Sequence, residues 1–334
     1  MSRWTGYIMT MNRFAQRVLR TIDAHHMLEH AETVIAAVSG GCDSLCMLYV
    51  LHELRAVRRF DLRAAHINHA FRAEADDDAR FVAEVCKKLG VRSYTTKVDV
   101  ARYAKQNGIS FETAGREVRY AFFDELMADL PHSVTATAHN ANDSAESFMM
   151  HLLRGSGLGG LTGISAVRGR IIRPLIERPR EEIEAYRKAR RLTPREDSTN
   201  AEDVYTRNDV RHHVMPPIAE RGGIEAIARA ARLLAEDEAF LRQYTARLAE
   251  TYLSDGGGGE LTLNAAEFNA LPTAVRRRLL RYALNGAERE IGAAHIESVL
   301  SLAQRNRGGK YLRLPGGVTV SLKSGKLIIK RNLA

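Results

Sequence analysis

Thr33-Val34-Ile35-Ala36-Ala37-Val38-Ser39-Gly40-Gly41-Cys42-Asp43-Ser44 is the stretch whose reading decides the fold of this chain. Its first six residues are a short, apolar, β-rich run, which reads as a buried strand. Two glycines follow, and helical apolar spacing then runs from Ser44 to about Ala56. A strand that enters a helix through a Gly-rich turn makes a ready anion site. The glycines let backbone N–H groups approach the ligand closely, and the helix N-terminus adds its dipole. Cys42 lies within this loop, and the hydroxyls of Ser39 and Ser44 add donors. Asp43 is the odd member, because a carboxylate beside a phosphate site points to a bridging Mg²⁺. No lysine closes the loop, so it is not the phosphate loop of kinases and GTPases. The plainer alternative is a strand-to-helix turn with Ser44 as N-cap.

Outward from this loop, strand-like and helix-like segments alternate. Residues 12–29 read as an amphipathic helix, 62–67 as a second strand, and 73–89 as a helix with acidic residues in its first turn. A third strand is expected over 91–98, a helix over 110–130, a fourth strand over 133–138 and a helix over 142–153. Such alternation predicts an α/β fold, a parallel sheet covered on both faces, with ligands at the carboxyl ends of the strands. The second half changes character. A helix is expected over 179–190, a polar loop over 193–205, and helical patterns over 207–252. The tetraglycine Gly256–Gly259 reads as a flexible break. Two further helices (273–284 and 293–304) and three short β-like pieces (310–314, 318–322 and 327–330) complete the chain. The expected organisation is an N-terminal extension and helix over 1–30, a catalytic domain over 31–217, and a mainly helical, basic domain with short terminal strands over 218–334.

Composition narrows the class. The 334 residues are 45% hydrophobic and 27% charged, as in an ordinary globular protein of about two domains. No run of apolar residues is long enough to span a membrane, and the N-terminus lacks a secretory pattern. Met11 offers an alternative start, with ten unstructured residues before it. The three cysteines, Cys42, Cys46 and Cys86, form no Cys-x-x-Cys and point to a reducing cytoplasm. The net charge of +9 is localised: from Ala270 onward there are 13 basic and 3 acidic residues, while the first 269 residues carry a net −1. An excess confined to one end suggests a polyanion-binding module, the alternative being a merely soluble basic tail.

An ordered series of motifs follows the loop: His66-Ile67-Asn68-His69-Ala70-Phe71-Arg72, Gly115-Arg116-Glu117-Val118-Arg119-Tyr120, His139-Asn140-Ala141-Asn142-Asp143-Ser144-Ala145-Glu146, Arg154-Gly155-Ser156-Gly157, Arg173-Pro174-Leu175, Arg195-Glu196-Asp197-Ser198-Thr199-Asn200 and Tyr205-Thr206-Arg207-Asn208-Asp209-Val210-Arg211. The loop resembles the fingerprint of the PP-loop ATP pyrophosphatase superfamily. The series as a whole resembles the tRNA(Ile)-lysidine synthetase family, closely over about 30–215 and weakly beyond. The chain departs from the family pattern His-His-x-Asp-Asp-Gln at 139–144, where Asn142 replaces a carboxylate and Ser144 a glutamine. Phe71 replaces a usual leucine, and Thr193-Pro194 stand where an aromatic residue is frequent. The resemblance also implies that the chain stops short of a C-terminal domain that longer relatives carry.

The resemblance implies a Rossmann-like domain of the adenine nucleotide alpha hydrolase type. It implies ATP and Mg²⁺ as cofactors, with Ser39, Gly40, Gly41, Cys42, Asp43, Ser44, His66, Asn68 and His139 around the nucleotide and Asp43 on the metal. Asp43, Arg116, Asp143, Glu146 and Arg207 are the expected catalytic set. The implied reaction joins free L-lysine to carbon 2 of the wobble cytidine in tRNA(Ile) with a CAU anticodon. It proceeds through an adenylated base and releases pyrophosphate and then AMP. Oligomeric state stays open, a homodimer included. Residues alone leave several readings side by side. His66 and His69 read as zinc ligands, nucleotide neighbours or strand-end packing. Cys42 and Cys46 read as packed side chains or a redox pair. Arg116 and Arg119 read as surface charges or as phosphate or RNA contacts. Asp143 and Glu146 read as first-turn helix acids or as the carboxylates that hold lysine. Competing functions are a small-molecule PP-loop ligase, a tRNA thiolation enzyme and a non-enzymatic RNA-binding protein.

Overall fold

The computed structural model describes residues 11–70, 75–195, 205–284, 291–305 and 310–331. The ten residues before Met11, Phe71, Arg72, the stretch 196–200 and Arg307 lie outside the described residues. Contacts divide the chain into two compact units, Met1–Ala235 and Glu236–Ala334.

The first unit is built on a six-stranded sheet of order β3-β2-β1-β4-β6-β5. Its strands are β1 (Thr33–Ala37), β2 (Asp61–Asn68), β3 (Arg92–Lys97), β4 (Ser133–Ala136), β5 (Val167–Arg168) and β6 (Ile171–Ile172). All neighbouring strands run parallel except β5, which pairs antiparallel with β6. Side chains alternate along β1. Val34 and Ala36 join a core with helices α1 (Arg13–Ala24), α2 (Cys42–Arg58), α3 (Ala75–Leu89) and α7 (Arg180–Ala189), while Ile35 faces Phe123, Leu126 and Met127 of α5 (Phe111–Asp129). This period of two buries both faces of the central strand, which is why β1 reads as a continuous apolar run. Helix α1 starts at its Asn12 cap, whose Oδ1 accepts from Phe14 N (2.8 Å), and Phe14 stacks on Tyr186 of α7 at 4.6 Å between centroids.

Strand order reverses beside β1: β2 and β3 lie to one side and β4 to the other. The crevice between β1 and β4 is therefore the topological switch point, where doubly wound sheets bind ligands. The segments that enter it are the Gly-rich loop after β1 and residues 137–143 after β4. Elements absent from the sequence reading are α4 (Val100–Asn107) and the two-residue strands β5 and β6. Helix α6 (Ala141–Leu153) leads into a glycine-rich connection, and α8 (Tyr205–Asp209) passes through a π-helical turn, Val210–Val214, into α9 (Met215–Ala219).

Helix α10 (Gly223–Tyr252) begins in the first unit and ends in the second. The second unit contains α11 (Ala265–Ala270), α12 (Thr273–Ala283), α13 (Ala293–Arg305) and an antiparallel sheet of order β7-β8-β11-β10-β9. Its strands are β7 (Ser254–Gly257), β8 (Glu260–Asn264), β9 (Tyr311–Arg313), β10 (Val318–Lys323) and β11 (Lys326–Arg331). The three expected terminal strands are present, and β8 adds to their edge through β11. The tetraglycine is not a flexible break. Gly256 and Gly257 end β7, and the positive φ of Gly257, Gly258 and Gly259 (81°, 60° and 81°) turns the chain into β8. Only glycine adopts such a run without a Cβ penalty.

Candidate active site

Gly41 is the N-cap of α2, and no side chain caps that helix, so its first-turn amides stay open to an anion. Gly40 has φ +96°, which only glycine takes without strain, and its carbonyl accepts from Arg195 N (3.1 Å). Ser44 is not the cap. Its Oγ donates to the Gly41 carbonyl (3.0 Å), accepts from Ser39 N (3.2 Å) and lies 3.1 Å from Ser39 Oγ, so the two serines brace the loop. Cys42 donates to Glu184 (3.1 Å). Hydrogen bonding with Cys46, burial and Glu184 together push its thiol well above the ordinary range. It stays protonated and is a poor nucleophile.

Asp43, in the first turn of α2, is tied to the other side of the crevice. Asn140 Nδ2 donates to Asp43 Oδ2 (3.0 Å), and Arg180 Nη2 lies 3.4 Å from the same oxygen. Burial and the nearby Asp143 charge outweigh these partners and raise the Asp43 pKa. Helix α6, unlike α2, is closed by a full capping box: Asn140 Oδ1 accepts from Asp143 N (3.1 Å), and Asp143 Oδ2 accepts from Asn140 N (3.0 Å). One residue thus fixes both carboxylates.

Asp143 and Glu146 share the helical face that their spacing predicts, and both meet arginines. Arg211 donates to both oxygens of Glu146 (Nε–Oε1 2.8 Å, Nη2–Oε2 2.9 Å), while Arg207 reaches Glu146 Oε2 (3.2 Å) and Asp143 Oδ1 (3.3 Å). Arg211 also lies 3.7 Å from Asp143. The Glu146 side chain is 5% exposed and that of Asp143 13%. Arg207 and Arg211 sit on the turn that widens into π-helix, a distortion frequent at functional sites.

A cleft of ≈ 400 Å³ opens at the switch point, lined among others by Ser39, Ser44, Arg119, His139, Asp143, Arg207 and Arg211. His139 is held neutral, its pKa pushed down to about 3 by burial and then by the charges of Arg173, Arg119, Arg207 and Arg116. Its Nδ1 lies 3.0 Å from Thr137 Oγ1. Glu146 lies behind the arginines and does not line the cleft. His66 and Asn68 do not line it either. Buried His66 has Nδ1 2.8 Å from the Val38 carbonyl, which it holds beneath the loop, and burial lowers its pKa. Asn68 donates to Asp76 (2.7 Å) and accepts from Ala70 N (2.9 Å). Arg116 is exposed on α5, its guanidinium over the Tyr120 ring at 5.0 Å.

Sequence reasoning assigned no role to Arg211, Arg180 or Asn140. The Arg207–Arg211 spacing of four was the available signal for Arg211. Nothing local marks Arg180, whose partner lies 137 residues away. Asn142 and Ser144, two of the departures from the family pattern, have structural work: Asn142 Oδ1 accepts from Arg180 N at the start of α7 (2.9 Å), and Ser144 Oγ accepts from Ile164 N (3.1 Å).

Strand, glycine loop, uncapped helix and the carboxylate across the crevice define a nucleotide-binding domain of the PP-loop class, and residues 10–218 match the family model described as the PP-loop domain. Residues 263–328 match a second model, the TilS substrate binding domain. The tRNA(Ile)-lysidine synthase of Caldanaerobacter subterraneus subsp. tengcongensis is 38% identical over 334 residues, covering 97% of this chain and 71% of that protein. The tRNA(Ile)-lysidine synthase of Clostridioides difficile is 33% identical, with 94% and 70% covered. The chain belongs to the tRNA(Ile)-lysidine synthase family. Among solved structures, the U34-tRNA thiolase NcsA from Methanococcus maripaludis shares the fold, with a TM-score of 0.54 at 19% identity over 66% of this chain and 79% of that one.

Proposed function

We propose that this protein is a ligase that joins L-lysine to carbon 2 of the wobble cytidine of tRNA(Ile) with a CAU anticodon, using ATP and releasing pyrophosphate and AMP. The observation that carries this reading is the match along both units, PP-loop domain and TilS substrate binding domain, with lysidine synthases at 38% and 33% identity. The open amides of α2 receive phosphate oxygens of ATP, and the arginines at the cleft balance charge on the phosphorus as cytidine oxygen 2 attacks it. Residues 31–217 form the catalytic domain and 218–334 the basic tRNA-binding domain, the segment 1–30 preceding them. No helix among the described residues is long and apolar enough to cross a membrane, and we place the reaction in the cytoplasm, where tRNA is modified.

Mg²⁺ fits the residues present. The Asp143 charge disfavours the charged form of Asp43, and a cation at the Asp43 carboxylate relieves that repulsion. Asp43 would hold it; when bound, it neutralises charge on the transferring phosphate. Asp143, the α6 carboxylate that lines the cleft, binds the lysine ammonium and takes its proton, because only the neutral amine is nucleophilic. Glu146 is a positioning residue: its charge is spent on Arg207 and Arg211, which it aims into the cleft. His139, neutral, offers a hydrogen bond rather than a charge.

The test is pyrophosphate release by the purified protein with tRNA and lysine each present or omitted. Release that requires tRNA but not lysine, followed by lysine-dependent AMP release, supports the reading. Release that ignores tRNA argues for a small-molecule ligase.

A further inference from the structure

Four arginines gather around Tyr120 with no carboxylate paired to any of them among the described residues. Arg116 and Arg168 place their guanidinium carbons 5.0 Å and 4.7 Å from the Tyr120 ring centroid. Arg119, three residues from Arg116 on α5, lines the cleft. Arg173 is 4% exposed, donates to the Ser165 carbonyl, and leaves a buried Nε without a partner. Glu112 and Asp143 line the cleft with Arg119, and Asp143 is already engaged by Arg207 and Arg211. Glu117 accepts from the Tyr103 hydroxyl (3.2 Å), and Asp124 lies with Tyr120 and Arg168 around a shallow depression. The arginines feel one another: after burial, Arg168 and Arg116 are the charges that most disfavour the charged form of Arg173.

Like charges held together without counter-ions cost free energy, and a protein keeps such a group where an anion completes it. The group forms a strip. Arg119 is at the cleft, Arg116 and Tyr120 follow along α5, and Arg168 lies at the sheet margin on β5, the edge strand. The amides that take the ATP phosphates belong to α2, at the opposite wall. An exposed arginine on an aromatic ring, outside the cleft, suits a polyanion that enters from solvent.

We infer that Arg116, Arg119, Arg168 and Arg173 around Tyr120 form a phosphate-binding strip that holds the RNA backbone next to the target nucleotide. The inference rests on the proposed function and adds to it a gripping surface on the catalytic unit, separate from the basic C-terminal region. Arg168 is its outer contact and touches neither the ATP loop nor the carboxylates. It fixes the RNA by charge and planar hydrogen bonding and carries no base identity.

The experiment uses the full chain with Arg168→Ala, Arg168→Glu and Arg168→Lys. Binding of tRNA(Ile) is measured by fluorescence anisotropy across a salt series, and KM for ATP and for tRNA in lysidine formation. Arg168→Glu weakens tRNA binding about tenfold, and Arg168→Ala lowers the slope of log affinity against log salt by about 0.7–0.9, the value of one phosphate contact. Arg168→Lys restores most of the affinity. KM for ATP stays within about twofold, and the loss appears in the KM for tRNA. Unchanged tRNA affinity and salt slope in Arg168→Glu overturn the strip, as does a rise confined to the KM for ATP, which would make it part of the nucleotide site. Wild-type protein that binds tRNA yet forms no lysidine sinks the proposed function, while the strip still stands or falls on the variants' affinities. Wild-type protein that does not bind tRNA overturns both.

Discussion

Replacing Arg211 by methionine tests the arrangement behind the cleft. Glu146 is 5% exposed and Arg211 24%, and they meet through two bonds of 2.8 and 2.9 Å. Removing one partner of a buried pair costs about 3–5 kcal/mol, mostly because the other charge stays buried. Here Arg207 remains 3.2 Å from Glu146, and a quarter of Arg211 is in water, so about 2–3 kcal/mol is the reasonable figure. In a unit of this size each kcal/mol moves Tm by about 2–4 °C, which gives a fall of about 4–12 °C. The assay is thermal denaturation of Arg211→Met, Glu146→Gln and the double variant. The double variant should recover part of the loss, with a coupling of about 1–3 kcal/mol. Arg211→Met that melts within about 1 °C of wild type, with no coupling to Glu146→Gln, would refute the claim that Glu146 depends on Arg211.

Asp43→Ala should abolish ATP–pyrophosphate exchange while leaving the circular dichroism spectrum and Tm near wild type, since the carboxylate is already disfavoured where it sits; exchange at the normal rate would remove Asp43 from the nucleotide site. Asp143→Asn keeps an acceptor for the Asn140 amide, so it should fold and form adenylated tRNA while losing the lysine step; equal loss of both steps would assign Asp143 to ATP or metal alone. His139 titrates at about 3 in the folded protein against about 6.5 unfolded. The unfolded state binds the extra proton, so His139 contributes stability in full above pH 6.5 and loses it as pH falls from 6.5 towards 3. Urea midpoints at pH 7 and pH 5 should differ by less in His139→Gln than in wild type, by about 1–2 kcal/mol of stability, and an equal difference would contradict the burial argument. In the basic region, charge reversal at the exposed Arg281, Arg305 and Lys310 should weaken tRNA binding without unfolding the unit. The neighbouring arginines are engaged in the fold: Arg278 with Glu238 (2.7 Å), Arg277 with Glu297 (2.6 Å), and Arg276, buried, with Thr273 (3.0 Å). A drop in melting temperature as large as that of Arg278→Glu would show the exposed set to be structural too.

The strand–loop–helix at 33–58 was legible because its signals are local: an apolar run, two glycines and a helical period. The same holds for β2, β4 and α6. Residues Val167–Arg168 and Ile171–Ile172 are strands only because β4 supplies a partner, and two residues carry no periodicity. The tetraglycine misled for a related reason, since positive φ is the requirement of a tight turn as much as of a flexible linker. At the site, Asp143 and Glu146 were paired correctly by helical spacing. Their partners were not, because Arg211 lies 65 residues from Glu146 and faces it only through the π-turn. His66 and Asn68 sit at a strand end, as their motif suggests, yet their side chains are spent on Val38, Asp76 and Ala70. No spacing rule separates a strand-end residue that touches ligand from one that holds the loop beneath it.

The most direct test of the central claim is the mass of the wobble nucleoside after the purified protein is incubated with tRNA(Ile) of CAU anticodon, ATP and L-lysine. Cytidine should be converted to a nucleoside heavier by one lysine less one water, with AMP and pyrophosphate formed in equal amounts and no conversion when lysine is omitted. Unmodified cytidine alongside continued ATP cleavage, or a mass gain that does not depend on lysine, would contradict it.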